Sequence, residues 1–191
     1  MDGNGRWAHK KGHKRLFGHN AGVESVRAAV EYAREKGIRY LSLFAFSEEN
    51  WGRPDEEVSG LMALMAKAVA DERATFAKYN IRFRIIGNRE QLPEDLVATV
   101  EELEAETLSN SSMDLIVMLS YSGRWDILQA ASRYGEICAN AAREGLPLPY
   151  LDQDSFAGLL STDGIPDPDL IIRTSGEQRI SNYMLWQAAY T

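Results

Sequence analysis

Apolar positions recur along the chain in two alternating rhythms. Between residues 21 and 36, Val23, Val26, Ala29, Val30 and Ala33 return every three or four positions, which places them on one side of a helix that Gly37 closes. Residues 40–46 are apolar almost without interruption and predict a buried strand. A long helix is expected over residues 56–79, opened by Pro54-Asp55 and rich in Leu, Met and Ala. A strand over 81–86, a turn at Gly87-Asn88 and a helix over 93–108 with an acidic outer face come next. An apolar strand over 113–119 leads into a helix over 124–143. Beyond the loop that starts at Leu146-Pro147-Leu148-Pro149, the pattern predicts a short helix over 154–160 and a short strand at 170–172.

Strands that alternate with helices imply an α/β fold with a central, mostly parallel sheet flanked by helices. No repeat, low-complexity tract or long linker divides the chain, so residues 1–191 are expected to form a single domain, long enough for a sizeable core. In open parallel sheets ligands bind beyond the carboxyl ends of the strands. Polar residues concentrate there: Ser47-Glu48-Glu49-Asn50-Trp51-Gly52-Arg53-Pro54, Ser120-Tyr121-Ser122-Gly123-Arg124, and the run from Arg173 to Ser181.

Charge narrows the function classes. A net charge of −7 argues against a nucleic-acid binder, but leaves room for a local basic pocket. The single cysteine, Cys138, excludes an internal disulfide and a Cys-based zinc site; it reads as a buried small residue and fits a reducing, cytoplasmic setting. No apolar run reaches the length of a membrane span, so membrane contact is expected to be peripheral.

The densest chemistry lies at the start. Asp2-Gly3-Asn4-Gly5-Arg6-Trp7 sets a carboxylate beside glycines, an amide, a guanidinium and a flat ring. Glycines let backbone N–H groups turn toward an anion, Arg6 offers a planar fork of donors for phosphate, and Asp2 is the kind of ligand through which Mg²⁺ reaches a protein. Such a phosphate loop should follow a strand, yet only Met1 precedes it. A missing first strand is therefore expected, as is a missing C-terminal tail, because the apolar pattern at Leu185–Thr191 stops without a cap. Arg173, Arg179 and Ser181, close to Gly176, form a second anion-binding set. Arg15 and His19 are expected just ahead of the first helix, where His19 is either a surface or capping residue or a donor to phosphate. His9 and His13, four residues apart, read as part of a mobile basic loop rather than a metal pair. Trp51 is either a structural ring at a helix entrance or a surface for a substrate chain. The stripe Leu61, Met62, Leu64, Met65 and Val69 is core packing or the wall of an apolar tunnel.

Taken together these segments resemble the cis-prenyltransferase family, the undecaprenyl diphosphate synthases and their relatives. Five segments match in order and rough spacing over essentially the whole chain: residues 1–7, 18–22, 44–54, 121–126 and 169–186. Glu48 and Ser122 depart from the more usual Ser and Gly. The resemblance implies an elongated apolar tunnel in the fold, Mg²⁺ as cofactor and a homodimer. It implies repeated cis-condensation of isopentenyl diphosphate with an allylic diphosphate such as farnesyl diphosphate, giving a polyprenyl diphosphate of the kind that carries cell-wall precursors. It assigns the allylic diphosphate to Gly3, Asn4, Gly5, Arg6 and Trp7 with Arg15 and His19, and Mg²⁺ to a catalytic Asp2. Isopentenyl diphosphate is assigned to Arg173, Arg179, Ile180 and Ser181. Ser47, Glu48, Glu49, Trp51 and Arg53 fall at substrate-contacting positions. Asn50 falls where the family places proton removal; an amide is a very weak base, so Asn50 is read as positioning water or substrate. A second metal ligand, a Glu, usually follows soon after Ala189-Tyr190, and the chain ends at Thr191 before reaching it. Two other readings stay open: a short-chain cis-prenyl diphosphate synthase, and a non-catalytic partner subunit, against which the retained Asp2, Arg6, Arg173 and Arg179 argue.

Overall fold

The structure, a computed structural model, describes residues 2–191; Met1 of the opening segment lies outside the described residues. The chain forms two compact units. The first runs to Ser120 and takes in Arg173–Gln178; the second comprises Tyr121–Ile172 and Arg179–Thr191.

The first unit begins with α1 (Asn4–Lys10) and α2 (Arg15–Glu35), then β1 (Tyr40–Ser47) and a 3-10 turn (Glu48–Gly52). It continues through α3 (Asp55–Asp71), α4 (Arg73–Tyr79), β2 (Ile81–Ile86), α5 (Glu94–Thr107) and β3 (Met113–Tyr121), whose last residue opens the second unit. The strand order is β1-β3-β2. β2 and β3 pair in parallel from Ile81↔Met113 to Ile86↔Met118, with α5 as the crossover. The middle strand, β3, is buried almost throughout, whereas β2 alternates buried Ile81, Phe83 and Ile85 with half-exposed Arg82 and Arg84. α5 turns Leu96, Val100 and Leu103 inward, at i, i+4 and i+7, and all three are essentially inaccessible. Burial of each such side chain is worth about 1.5–3 kcal/mol. Asp55, Glu56 and Glu57 fill the first turn of α3, which suits the positive end of its dipole.

Five local expectations are corrected, one of them at Cys138 in the second unit. α2 starts at Arg15, six residues early, so Arg15 and His19 lie inside the helix. Gly18 and Gly22 break the apolar rhythm there because α1 crosses the helix at that point. A Cβ on Gly18 would sit 2.0 Å from the Asn4 carbonyl oxygen, and one on Gly22 2.6 Å from the Asn4 amide nitrogen. The Gly-rich opening is mostly helix: only Gly3, at φ 93°, keeps the loop conformation, and His9 and Lys10 belong to α1. The helix expected over 56–79 is interrupted at Glu72, between α3 and α4. Residues 170–172 form no strand, and Leu170 and Ile172 stay exposed, because apolar character without a ladder partner does not make a strand.

The second unit holds α6 (Gly123–Arg143) and α7 (Gln153–Ala157). Ser122 caps α6 by accepting the Trp125 N–H at 3.1 Å. Asp126, 1% exposed, organises this unit. One of its oxygens accepts the Ser161 N–H at 2.8 Å, the Ser161 hydroxyl at 2.7 Å and the Gln129 amide at 3.0 Å. The other accepts the Tyr121 hydroxyl at 3.2 Å and the Gln187 amide at 3.1 Å. Burial, and then the Asp126 charge, push the Tyr121 hydroxyl pKa upward, so Tyr121 stays neutral. Cys138 is half-buried rather than buried, on a helix that also exposes Leu128 and Ile137.

Candidate functional site

Asp2 is the meeting point of residues far apart in sequence. Its N–H donates to the Thr174 hydroxyl at 2.9 Å, and that hydroxyl donates to the Asp2 carbonyl at 2.8 Å. One carboxylate oxygen accepts the Gly3 N–H at 2.6 Å. The other accepts Arg173 at 2.9 Å and Arg6 at 3.3 Å. Arg6 reaches onward to Glu177 at 2.6 Å. The left-handed Gly3 makes this possible: a Cβ there would lie 2.5 Å from the Ser175 hydroxyl oxygen. Burial alone would raise the Asp2 pKa; the Arg173 hydrogen bond, the Gly3 N–H and the charges of Arg6 and Arg173 outweigh it and hold the carboxyl below its ordinary value. Asp2 is thus an anion at neutral pH, and two guanidiniums are aimed at one point.

A second cluster adjoins the first, since Arg15 packs its methylenes at 3.3 Å from where a Gly5 Cβ would be. Here Glu57, in the first turn of α3, gathers Arg53 at 3.0 Å, Arg15 at 3.7 Å and His19 at 3.9 Å. Burial, then the charge of Arg53, lowers the His19 pKa, and Glu57 only partly opposes them. The His19 Nε2 atom is buried and has no hydrogen-bond partner. A neutral imidazole nitrogen without a partner, between two arginines, suits an incoming group that carries its own oxygens.

The β1 end forms a capping box. The Asn50 side-chain oxygen accepts the Ser47 N–H at 3.2 Å, while Ser47 accepts the Asn50 N–H. Trp51 donates to the Ser120 hydroxyl at 2.9 Å, which donates to Gln91 at 2.8 Å, and its ring meets Phe46 edge-on at 5.0 Å. Trp51 therefore ties the ends of β1 and β3 together. Glu48 and Glu49 start the same turn. Trp7 is 41% exposed and stacks parallel to Phe17 at 6.0 Å.

Of the residues singled out by sequence, Asp2, Gly3, Asn4, Gly5, Arg6, Arg15, His19, Arg53 and Arg173 come together on the first unit. Arg179, Ile180 and Ser181 belong to the second unit. There the backbone is left-handed at Ser181 (φ 50°) and Asn182 (φ 61°), and Asn182 receives the Gly123 N–H at 2.6 Å. Sequence reasoning missed Glu57, Thr174 and Glu177. Glu57 was visible as the i+4 partner of Arg53; nothing periodic marks the other two.

The geometry is a partly buried, arginine-rich cluster centred on the Asp2 carboxylate, and it coincides with segments that carry the family resemblance. A family model described as "putative undecaprenyl diphosphate synthase" matches residues 1–191. The chain belongs to the undecaprenyl diphosphate synthase family. It is 50% identical to an isoprenyl transferase of Geobacter sulfurreducens over 191 residues, which is 100% of this chain and 76% of that protein. A ditrans,polycis-undecaprenyl-diphosphate synthase of Coxiella burnetii, described as farnesyl-diphosphate specific, is 44% identical over 191 residues, 100% of this chain and 79% of its own length. Among solved structures, lavandulyl diphosphate synthase from Lavandula x intermedia, in complex with dimethylallyl diphosphate, superposes with a TM-score of 0.90 at 33% identity, covering 98% of this chain and 80% of that one.

Proposed function

We propose that the chain extends farnesyl diphosphate by successive cis-condensations with isopentenyl diphosphate to undecaprenyl diphosphate, and that the Asp2 and Glu57 clusters form the allylic diphosphate site. The observation that carries this reading is the convergence of Arg6 and Arg173 on Asp2 across 171 residues of sequence. Breaking the allylic C–O bond puts negative charge on the departing diphosphate. Arg6 and Arg173 are already oriented, by Glu177 and Asp2, to receive it, and one preorganised donor of this kind is worth about 3 kcal/mol of barrier. Arg15, held by Glu57 beside Gly5, extends the same anion site. Neutral His19 can donate or accept one hydrogen bond at the leaving oxygens without adding charge. Asn50 holds the Ser47–Arg53 turn in shape, and its amide NH₂ is the donor it offers to substrate. We assign the isopentenyl diphosphate to Arg179, Ile180 and Ser181, and the path of the growing hydrocarbon to α3, where Leu64 and Met65 are half-buried.

The donor set fits Mg²⁺ of a particular kind. Among the described residues no group of three or more His, Cys, Asp or Glu side chains surrounds a common point, so a cage made wholly of protein is not what this site offers. One anionic carboxylate facing a diphosphate site does fit, because Mg²⁺ is commonly held by one or two carboxylates together with substrate phosphates and waters. Asp2 would hold the ion, which would neutralise charge on the leaving diphosphate. A homodimer belongs to the same proposal, supported by Leu128 (68% exposed) and Ile137 (43% exposed) on α6.

The test is product analysis after incubation with farnesyl diphosphate, labelled isopentenyl diphosphate and Mg²⁺. Label in a polyprenyl diphosphate of undecaprenyl length is expected. Products that stop after one or two additions would make this a short-chain synthase, and no incorporation at all would leave a binding subunit.

A further inference from the structure

A surface beside the site combines basic side chains with exposed aromatic rings. Residues 3–23 carry five of the chain's 21 Lys and Arg residues and none of its 28 Asp and Glu residues. The remainder of the chain is correspondingly acidic. In this same stretch, residues 9–17 are all exposed. Three large apolar side chains lie open among the charges: Trp7 (41%), Leu16 (37%) and Phe17 (47%). Trp7 and Phe17 form one patch, while the Leu16 side chain lies against Gly60 of α3. Gly18 and Gly22 let α1 lie close against α2, which brings the Trp7 and Phe17 rings parallel, 2° apart in tilt. The Lys11 ammonium sits 4.5 Å from the Trp7 ring centre, and Lys10 and Lys14 flank it in sequence. The Lys14 contact with Glu56, at 3.8 Å between two side chains about nine-tenths exposed, neutralises little.

We propose that this α1–α2 edge docks on an anionic lipid surface. The chemistry matches on both counts. A Trp and a Phe open at one edge suit the headgroup level of a bilayer, where amphipathic rings settle, and lysines beside them are drawn to the negative surface. Charge complementarity selects this occupant: residues 3–23 carry five Lys and Arg and no Asp or Glu in a chain of net charge −7, so an anionic surface attracts this edge while the net charge of the chain opposes other orientations. Nucleic acid would ask for a longer basic track. The proposal stands apart from the catalytic reading, since vesicle binding is measured without substrates.

The test is flotation of the full chain with vesicles of phosphatidylcholine containing 30% phosphatidylserine, beside pure phosphatidylcholine vesicles. Binding to the anionic vesicles alone is expected, and it should be lost between 0.1 M and 1 M salt, as the screening length falls from about 10 Å to about 3 Å. Each Lys near such a surface is worth about fivefold in partitioning, so Lys10→Ala/Lys11→Ala should bind about 25-fold more weakly. Phe17→Ser should weaken binding while leaving its salt dependence in place. All three positions are exposed, and a far-UV spectrum and melting midpoint check that the variants fold. Hydrogen exchange should show residues 7–17 protected by anionic vesicles and not by neutral ones. Equal binding to both vesicle types, no binding to either, or unchanged binding by Lys10→Ala/Lys11→Ala would overturn the proposal. So would self-association of the protein that Phe17→Ser abolishes, which would make the patch an interface between copies of the chain.

Discussion

Replacing Gly18 by Ala tests whether the close crossing of α1 over α2 sets the site. The added Cβ would lie 2.0 Å from the Asn4 carbonyl oxygen and 2.7 Å from its carbon. Both are backbone atoms, and both neighbours belong to helices, so no side chain can swing away. Ordinary contact begins near 3.4 Å, which requires the start of α1 to move by roughly 1.4 Å. Overpacking of this kind costs about 1–3 kcal/mol. Ala also gains about 1 kcal/mol over Gly in a helix, so the net loss of stability should be small, roughly 0–2 kcal/mol. The functional loss should be larger. Asp2, Gly3 and Arg6 are carried by this end of α1, and a displacement of about 1 Å at a reacting site can cost about 100-fold in rate. The control is Gly135→Ala in α6, where a Cβ would meet nothing within 4 Å; it should raise stability by about 0.5–1 kcal/mol. Urea unfolding and isopentenyl incorporation would be measured for both. If Gly18→Ala keeps wild-type turnover, or is stabilised as much as Gly135→Ala, the crossing does not position the site.

Two further outcomes follow from named groups. Asp126→Asn puts an amide NH₂ against donors that now point at a carboxylate oxygen, on whichever side it turns. An unsatisfied buried group of this kind costs about 1–3 kcal/mol, so the urea midpoint should fall clearly while the far-UV spectrum stays native. For His19 the folded pKa lies below the ordinary 6.5, chiefly through burial. Its contribution to stability is therefore complete above about pH 6.5 and is lost as pH falls through the folded value. His19→Gln should flatten the decline in melting midpoint between pH 7.5 and pH 5.5, and an unchanged pH profile would mean that His19 is not buried as described.

Much of this architecture is legible in the sequence, and the exceptions share a cause. The rhythms over β2, α5 and β3 predict their elements closely, because each buries its own face against a neighbour and periodicity reports that burial. The sequence reading starts α2 only at residue 21 because the apolar repeat begins at Val23, whereas Gly18 and Gly22, which lie close against Asn4, have no side chains to carry that repeat. The apolar run at 170–172 looks like a strand because periodicity does not register whether a ladder partner exists. At the site, residue types point to Asp2, Arg6, Arg15, His19, Arg53 and Arg173, since guanidiniums and a carboxylate beside glycines have a recognisable chemistry. Thr174 and Glu177 have no periodic mark, and Glu57 shows only as the i+4 partner of Arg53: tertiary placement makes it the acceptor for three neighbours. The residue type leaves Trp51 open between two roles, and its hydrogen bond to Ser120 shows a structural contact.

Asp2 carries the central claim, because it joins both ends of the first unit and is the proposed ligand for Mg²⁺. Removing its carboxylate should leave the fold intact, since its side chain is a third exposed and its ion pairs lie near solvent. It should also leave Arg6 and Arg173 without their common acceptor. The direct measurement is isopentenyl incorporation by Asp2→Ala beside the unaltered chain, with Mg²⁺ and farnesyl diphosphate at matched concentrations. A fall in kcat/KM of at least about 100-fold, with an unchanged melting midpoint, is predicted. Near-complete turnover by Asp2→Ala would contradict the account.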